Sequence, residues 1–284
     1  MNQHHSPEPQ DVNHFSGLTY FSHLGALGAG DVHAMRARAS MALIAALQIE
    51  NDQCVLEMGC GTGKTLMRVA HQTGGKRARV IGADFSPDML AATWQRARWA
   101  GMQDKVCLVR GHIGRVPLAD GSVDRAYCES ALCFHDEATA TAALRNIFRM
   151  LKPGGCFAAN EAIWRESASD ERITDVYDRC LQHFGTCQGC PQTWRIHNWL
   201  GVMRSIGFEV TAKPLHEACA HTSHSLAHLS LMPLRERVFD AVYPLVRKLK
   251  PPVRAAVAHY DALYKLHAGE GITIEDWLFV LRKP

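Results

Sequence analysis

The stretch Cys54–Ala70, CVLEMGCGTGKTLMRVA, has the pattern of a buried strand that passes through a glycine-rich turn into a helix. The apolar run at its start predicts the strand, and the apolar spacing at its end is that of one helix face. Between the two, glycine stands at every second position, at Gly59, Gly61 and Gly63. Because glycine adopts left-handed conformations and allows close approach to the main chain, the turn predicts a ligand site after the first strand.

The sequence around this turn alternates between strand and helix patterns. Further strands are predicted in ARVIGAD, KVCLVRG, VDRAYCES, CFAANEAI, FEVTAKPLH and GITIEDWLFVLRKP. Helices are predicted in KTLMRVAHQTGG, SPDMLAATWQRARWAG and ATATAALRNIFRMLKPGG, the last ending at Pro153–Gly155. Alternation of this kind gives parallel strands with right-handed crossovers. We therefore predict an α/β fold with a doubly wound, mostly parallel sheet and a ligand at the carboxyl ends of its strands.

Two common phosphate-binding patterns do not fit the glycine turn. A phosphate-binding loop that ends in Gly63-Lys64-Thr65 needs its first glycine at position 58, where the chain has Met58. A dinucleotide fingerprint that starts at Gly59 needs a small third residue, where the chain has Lys64. The turn therefore favours a ligand that the protein does not bind through phosphate groups.

The pattern that fits is E-x-G-x-G-x-G from Glu57 to Gly63, which resembles motif I of the class I S-adenosylmethionine-dependent methyltransferases. The similarity is to small-molecule enzymes like the quinone-biosynthesis C-methyltransferases, and LKPGG at 151–155 strengthens it. The resemblance covers residues 51–163 and implies a seven-stranded Rossmann-like fold, S-adenosyl-L-methionine as cofactor and S-adenosyl-L-homocysteine as product. The cofactor contacts implied in the turn are Glu57, Gly59, Cys60, Gly61 and Gly63.

Further cofactor contacts follow from the same resemblance. Asp84 ends the second strand 23 residues after Gly61, where the family's acidic residue binds both ribose hydroxyls. Phe85 and Met89 are placed to touch the adenine. Where the family commonly has Gly-Asp after the third strand, this chain has Gly111-His112. A neutral histidine can accept a hydrogen bond from the adenine amino group, and the implied set is completed by His112, Ile113 and Glu129.

Catalytic candidates are expected after the fourth and fifth strands, where acceptor and cofactor meet. A base can assist by removing a proton from the acceptor. His135 and Glu161 supply such groups, and Tyr20 in the N-terminal segment resembles the aromatic residue that relatives often place over the cofactor. For each of the three, a structural or loop role stands as the alternative.

The composition excludes several partners and sites. The net charge of +3 comes without a dense basic stripe, so we expect a small-molecule acceptor and no nucleic acid. No apolar run approaches a membrane span and no secretory signal is evident, so a cytoplasmic protein is expected, with a homodimer allowed. The ten cysteines are expected to be reduced, and Cys187-Gln-Gly-Cys190 has no second pair at zinc-binding distance. No metal is therefore predicted.

The predicted organisation has four parts. Residues 1–16 form a disordered tail, and residues 17–50 form an N-terminal helical segment that covers the site. Residues 51–163 are the cofactor-binding core, and residues 164–284 add the remaining strands with a helical substrate cap at about 217–269.

The alternative functions are a non-methylating cofactor-binding protein, a nicotinamide-dependent oxidoreductase and a nucleic-acid methyltransferase. A cofactor-binding protein that does not methylate, such as a cyclase, would bind S-adenosylmethionine without producing S-adenosylhomocysteine. A nicotinamide-dependent oxidoreductase is opposed by Lys64. A nucleic-acid methyltransferase is opposed by the weak charge and by CESA after the fourth strand, where an N-P-P-Y-like tetrad would stand.

Overall fold

The computed structural model describes residues 35, 37–73, 79–184, 187, 189–220, 238 and 273–284. Within these ranges the chain forms one seven-stranded sheet with helices on both faces. The strands are β1 Cys54–Met58, β2 Arg79–Asp84, β3 Val106–Arg110, β4 Val123–Glu129, β5 Leu151–Trp164, β6 Glu209–Pro214 and β7 Ile274–Arg282. The helices are α1 Ala37–Leu47, α2 Lys64–Gln72, α3 Pro87–Ala100, α4 Glu137–Met150, α5 Asp170–Phe184, α6 Ile196–Ile206 and α7 Leu215–Ala218, with a 3₁₀ turn at Leu132–Phe134.

The strand order is β3-β2-β1-β4-β5-β7-β6. The first five strands are parallel, and β7 runs antiparallel between β5 and β6. The order reverses beside β1, because β2 and β4 lie on its two sides. The glycine turn therefore follows the strand at which an open α/β sheet forms its ligand crevice. The predicted doubly wound, mostly parallel sheet is confirmed.

Local signals fixed several helix ends. The hydroxyl of Ser86 caps α3 by accepting from the Met89 N–H at 3.3 Å, and Gly101 ends the same helix with a φ of 70°. The Pro153–Gly155 signal that predicts the end of α4 lies just beyond the observed end. The helix stops at Met150 and the extended strand begins at Leu151, and proline disfavours the helical conformation in the residue before it.

The core lies on both faces of the sheet. One apolar cluster joins β1, β4 and β5 to α4 and α6, and a second joins the opposite face to α1, α2 and α3. Among the described residues, no helix is both long and apolar enough to cross a membrane. The predicted tail at 1–16 lies outside the described residues, as does the predicted substrate cap at 217–269 apart from 217–220 and 238.

Candidate active site

The glycine turn has the left-handed conformations that its sequence predicts. Gly59, Gly61 and Gly63 have φ values of 70°, 52° and 76°. The N–H groups of Gly59 and Cys60 donate to the carbonyl of Ala83 at 2.8 and 3.0 Å, which ties the turn to the end of β2. A Cβ added at Gly63 would lie 2.5 Å from the Thr93 side chain, whereas one added at Gly61 would meet no atom within 4 Å. The turn is therefore packed at its end and open at its middle.

Asp84 joins this turn to the start of α3. One carboxylate oxygen, Oδ2, accepts from the Gly61 N–H and the other, Oδ1, accepts from the Ser86 N–H, both at 2.9 Å. Burial raises the pKa of Asp84 to about 6, although the backbone hydrogen bonds act in the opposite direction. Each oxygen keeps lone-pair capacity beyond these bonds, so the group can accept further hydrogen bonds from a ligand.

Two further carboxylates lie at the same edge of the sheet. Glu57 is 4% exposed and accepts from the Tyr127 hydroxyl at 3.0 Å. Burial, followed by the nearby charge of Glu129, raises the pKa of Glu57 well above its ordinary value. The predicted cofactor contact of Glu57 is thus accompanied by a structural bond that fixes its side chain beneath the turn.

Glu129 is the centre of a polar network that sequence reasoning missed. Its carboxylate accepts from the hydroxyls of Thr65 and Ser40 at 2.6 and 3.1 Å, and from the Asn160 amide at 3.2 Å. Thr65 lies in the first turn of α2. Hydroxyl residues on two different helices give no local signal, and the packing of α1 against β4 and β5 is what brings Ser40 to this carboxylate.

His112 and His135 lie together beyond the ends of β3 and β4, with ring centroids 5.6 Å apart and an interplanar angle of 70°. Burial lowers the pKa of His112, and burial followed by the neighbouring His112 lowers the pKa of His135 to about 4. Both rings are therefore neutral at pH 7. The predicted acceptance of the adenine amino group by His112 meets an obstacle, because its Nδ1 already accepts from the Gly114 N–H at 3.3 Å. In the neutral ring Nε2 then carries the proton and donates.

The remaining predicted residues are placed as follows. Met89 and Ile113 are 6% and 8% exposed, and Phe85 is partly buried beside Asp84. Glu161 is 1% exposed and accepts from backbone N–H groups of the turn after β4. This arrangement holds the turn and is not that of a solvent-facing base. Tyr20 lies outside the described residues.

No cluster of three or more histidine, cysteine, aspartate or glutamate side chains among the described residues is arranged to hold a metal ion. Cys187 and Cys190 are buried, and the Cys190 thiol donates to the Cys187 carbonyl at 3.3 Å. The loop that contains them is hydrogen-bonded to the turn that follows β4, because the N–H groups of Gly189 and Cys190 both donate to the Cys133 carbonyl. The pair thus contributes to packing around the site.

Comparison with known proteins identifies the class. The family model described as a methyltransferase domain matches residues 55–155. A sterol 24-C-methyltransferase of Eremothecium gossypii is 25% identical over 162 residues, covering 57% of this chain and 42% of the relative. The chain spans about half the length of the curated relatives it matches.

Solved structures show the same fold. Geranyl diphosphate C-methyltransferase from Streptomyces coelicolor A3(2), solved with S-adenosyl-L-homocysteine, matches with a TM-score of 0.60 and 15% identity, over 88% of this chain and 77% of that one. The [4+2]-cyclase SpnF matches with a TM-score of 0.66 and 19% identity, over 95% and 96%. The match of residues 55–155 to a methyltransferase domain supports the class I S-adenosylmethionine-dependent methyltransferases as the family, and the solved structures share its fold. The family predicted from the glycine turn and Asp84 is confirmed.

Proposed function

We propose that this protein transfers a methyl group from S-adenosyl-L-methionine to a small, partly apolar acceptor. The observation that carries the proposal is the hydrogen bond between the glycine turn and Asp84, in which the buried carboxylate accepts from the Gly61 N–H at 2.9 Å. Relatives named for sterol and geranyl diphosphate methylation support an apolar acceptor.

The residues present fit the cofactor. At Gly61 the turn borders open space that a Cβ would enter, which is what close approach of a ligand to the backbone requires. Asp84 would hold the ribose hydroxyls with its remaining acceptor capacity, and Met89, Phe85 and Ile113 supply apolar surface for the adenine. When bound, the cofactor supplies a methyl group activated by its sulfonium.

The protein's own part is to position the acceptor and to receive a proton. His135 is neutral at pH 7 because its pKa lies at about 4, so it can accept a proton from the acceptor. Its low proton affinity limits such assistance to acceptors whose own proton is acidic. Tyr20 stays a proposed contributor from the N-terminal segment, and the nucleophile on the acceptor is left open among carbon, oxygen, nitrogen and sulfur.

Binding of S-adenosylhomocysteine, measured by titration calorimetry, tests the cofactor site. Asp84→Ala should abolish measurable binding because the ribose loses its acceptor. Asp88→Ala is the matched control, since Asp88 is an exposed aspartate in the first turn of α3. Equal affinity of wild type and Asp84→Ala would contradict the proposed site.

A second candidate is a cofactor-binding cyclase, favoured by the match to SpnF over nearly the full length of both chains. Product analysis separates the two. A methyltransferase converts S-adenosylmethionine to S-adenosylhomocysteine in step with acceptor consumption, whereas a cyclase transforms its substrate and leaves the cofactor unchanged.

The predicted absence of nucleic acid and membrane partners, the homodimer and the cytoplasmic location stay predictions. The apparent mass in gel filtration, measured at several protein concentrations, would show whether one or two copies of the 31.5 kDa chain are present.

A further inference from the structure

Glu161 lies within β5, and its carboxylate is occupied by the segment that follows β4. Oε1 accepts from the N–H groups of Ala131 and Leu132 at 3.2 and 3.1 Å and from the Cys128 thiol at 3.1 Å. Oε2 accepts from the Cys133 N–H at 3.0 Å. Three successive backbone N–H groups thus point at one buried carboxylate, which compensates a charge that would otherwise be costly to bury. Burial nonetheless raises the pKa of Glu161.

This arrangement fixes the direction of the carbonyl groups in the same segment. In a trans peptide the C=O and the following N–H point in opposite directions. Because the Ala131 N–H points at Glu161, the Ser130 carbonyl points away from it. The Ser130 N–H donates to the Asn160 carbonyl on β5 at 2.8 Å, so the Glu129 carbonyl points away from β5, to the side on which β1 lies. Ser130 has a φ of 49°, a conformation rarely adopted by residues other than glycine, which the surrounding bonds enforce.

The segment also touches the glycine turn. A Cβ added at Gly59 would lie 2.9 Å from the Cβ of Ala131, so the Ala131 methyl group packs closely against the Gly59 main chain. Residues of β5 alternate between the two faces of the sheet, and Glu161 shares its face with Ala159 and Ile163 of the α4–α6 core. The Ser130 carbonyl is therefore directed to the opposite face, on which α2 packs.

We propose that Glu161 is a positioning residue: by holding the N–H groups of 131–133, it turns the carbonyls of Glu129 and Ser130 toward the glycine turn, where they accept from the α-ammonium group of the cofactor. The inference rests on the proposed function. It assigns to Glu161 an effect on the amino-acid end of the cofactor and none on the nucleoside end.

Two ligands distinguish an effect on the amino-acid end of the cofactor from an effect on its nucleoside end. S-adenosylhomocysteine carries the α-ammonium, whereas 5′-methylthioadenosine keeps the nucleoside and lacks the amino acid. Calorimetric titration of Glu161→Gln is expected to show about tenfold or greater weakening for S-adenosylhomocysteine, the size of a lost hydrogen bond to a charged group. The affinity for 5′-methylthioadenosine should change by less than about twofold. A merely structural role would weaken both ligands together.

Asp124→Asn is the matched control. Asp124 accepts a backbone N–H from Cys54 at 2.9 Å and pairs with Lys152, but it lies at the opposite end of β4. We expect this variant to lose stability while keeping the ratio of the two affinities. Glu161→Asp retains the charge and withdraws the carboxylate by one methylene, and it should change the ratio in the same direction as Glu161→Gln.

Wild-type protein provides a readout that needs no variant. Hydrogen exchange of the peptide covering 129–134 should slow when S-adenosylhomocysteine binds and stay unchanged with 5′-methylthioadenosine. If wild type binds neither ligand, the proposed function fails. If it binds both, and the affinity ratio or the exchange pattern does not distinguish them, only the role of Glu161 is overturned.

Discussion

Asp84 is the residue whose ionisation should control cofactor binding. Its pKa is raised to about 6 by burial, and only the carboxylate can accept from both ribose hydroxyls while bonded to Gly61 and Ser86. The protonated form dominates below pH 6, so affinity should fall by up to tenfold per pH unit there and level off above pH 7.

Calorimetric titration of S-adenosylhomocysteine from pH 5 to 8 measures this dependence. Asp84→Asn, which cannot ionise, should bind weakly at every pH and lose the break near pH 6. A break that persists in this variant would assign the titration to another group.

Gly63 should be intolerant of any side chain. In Gly63→Ala the new Cβ would lie 2.5 Å from Thr93, which is fully buried and donates to the Gly61 carbonyl at 2.6 Å. Together with the left-handed φ of 76°, this clash should lower the free energy of unfolding by about 2–4 kcal/mol.

Gly101→Ala isolates the contribution of the clash. Gly101 has a φ of 70°, yet a Cβ there would meet nothing within 4 Å, so the expected loss is only about 1 kcal/mol. Urea unfolding of both variants gives the comparison, and equal losses would show that strain alone explains Gly63.

At the scale of elements, the start of α4 controls the region next to His135. Asp136 caps the helix by accepting from the Thr139 N–H at 2.7 Å, and its charge acts to raise the pKa of both His112 and His135. Asp136→Ala should lower stability by about 1 kcal/mol through loss of the cap.

Asp136→Asn separates the cap from the charge, since asparagine caps helices about as well as aspartate. It should keep the stability and move the histidine pKa values further down, which NMR titration of the ring protons would detect. A loss of stability as large as that of Asp136→Ala would show that the charge, and not the cap, stabilises the helix start.

At the scale of the whole molecule, the C-terminal strand is part of the central core. Strand β7 lies between β5 and β6, and Phe279 on it is fully buried near Trp199 of α6, with ring centroids 6.4 Å apart. Phe279→Ala should lower the free energy of unfolding by about 3–5 kcal/mol.

Arg282→Ala, at an exposed position of the same strand, should change stability by less than about 0.5 kcal/mol. Urea unfolding followed by tryptophan fluorescence measures both. A small effect of Phe279→Ala would mean that the last strand is dispensable for the core.

The sequence by itself determined the order of strands and helices, the glycine turn and Asp84. These features are local: apolar periodicity specifies strands and helices, and left-handed turn positions favour glycine. The exclusion of two phosphate-binding patterns by Met58 and Lys64 was local in the same way.

Only the tertiary structure decided how distant side chains share hydrogen bonds. It brought Ser40, Thr65 and Asn160 to the carboxylate of Glu129, and it placed Glu161 behind the turn after β4. Hydrogen-bond partners separated by 25 or more residues leave no periodic signal in a sequence. Their meeting follows from the packing of helices on the sheet, because each buried polar group must find a partner among whatever that packing brings within reach.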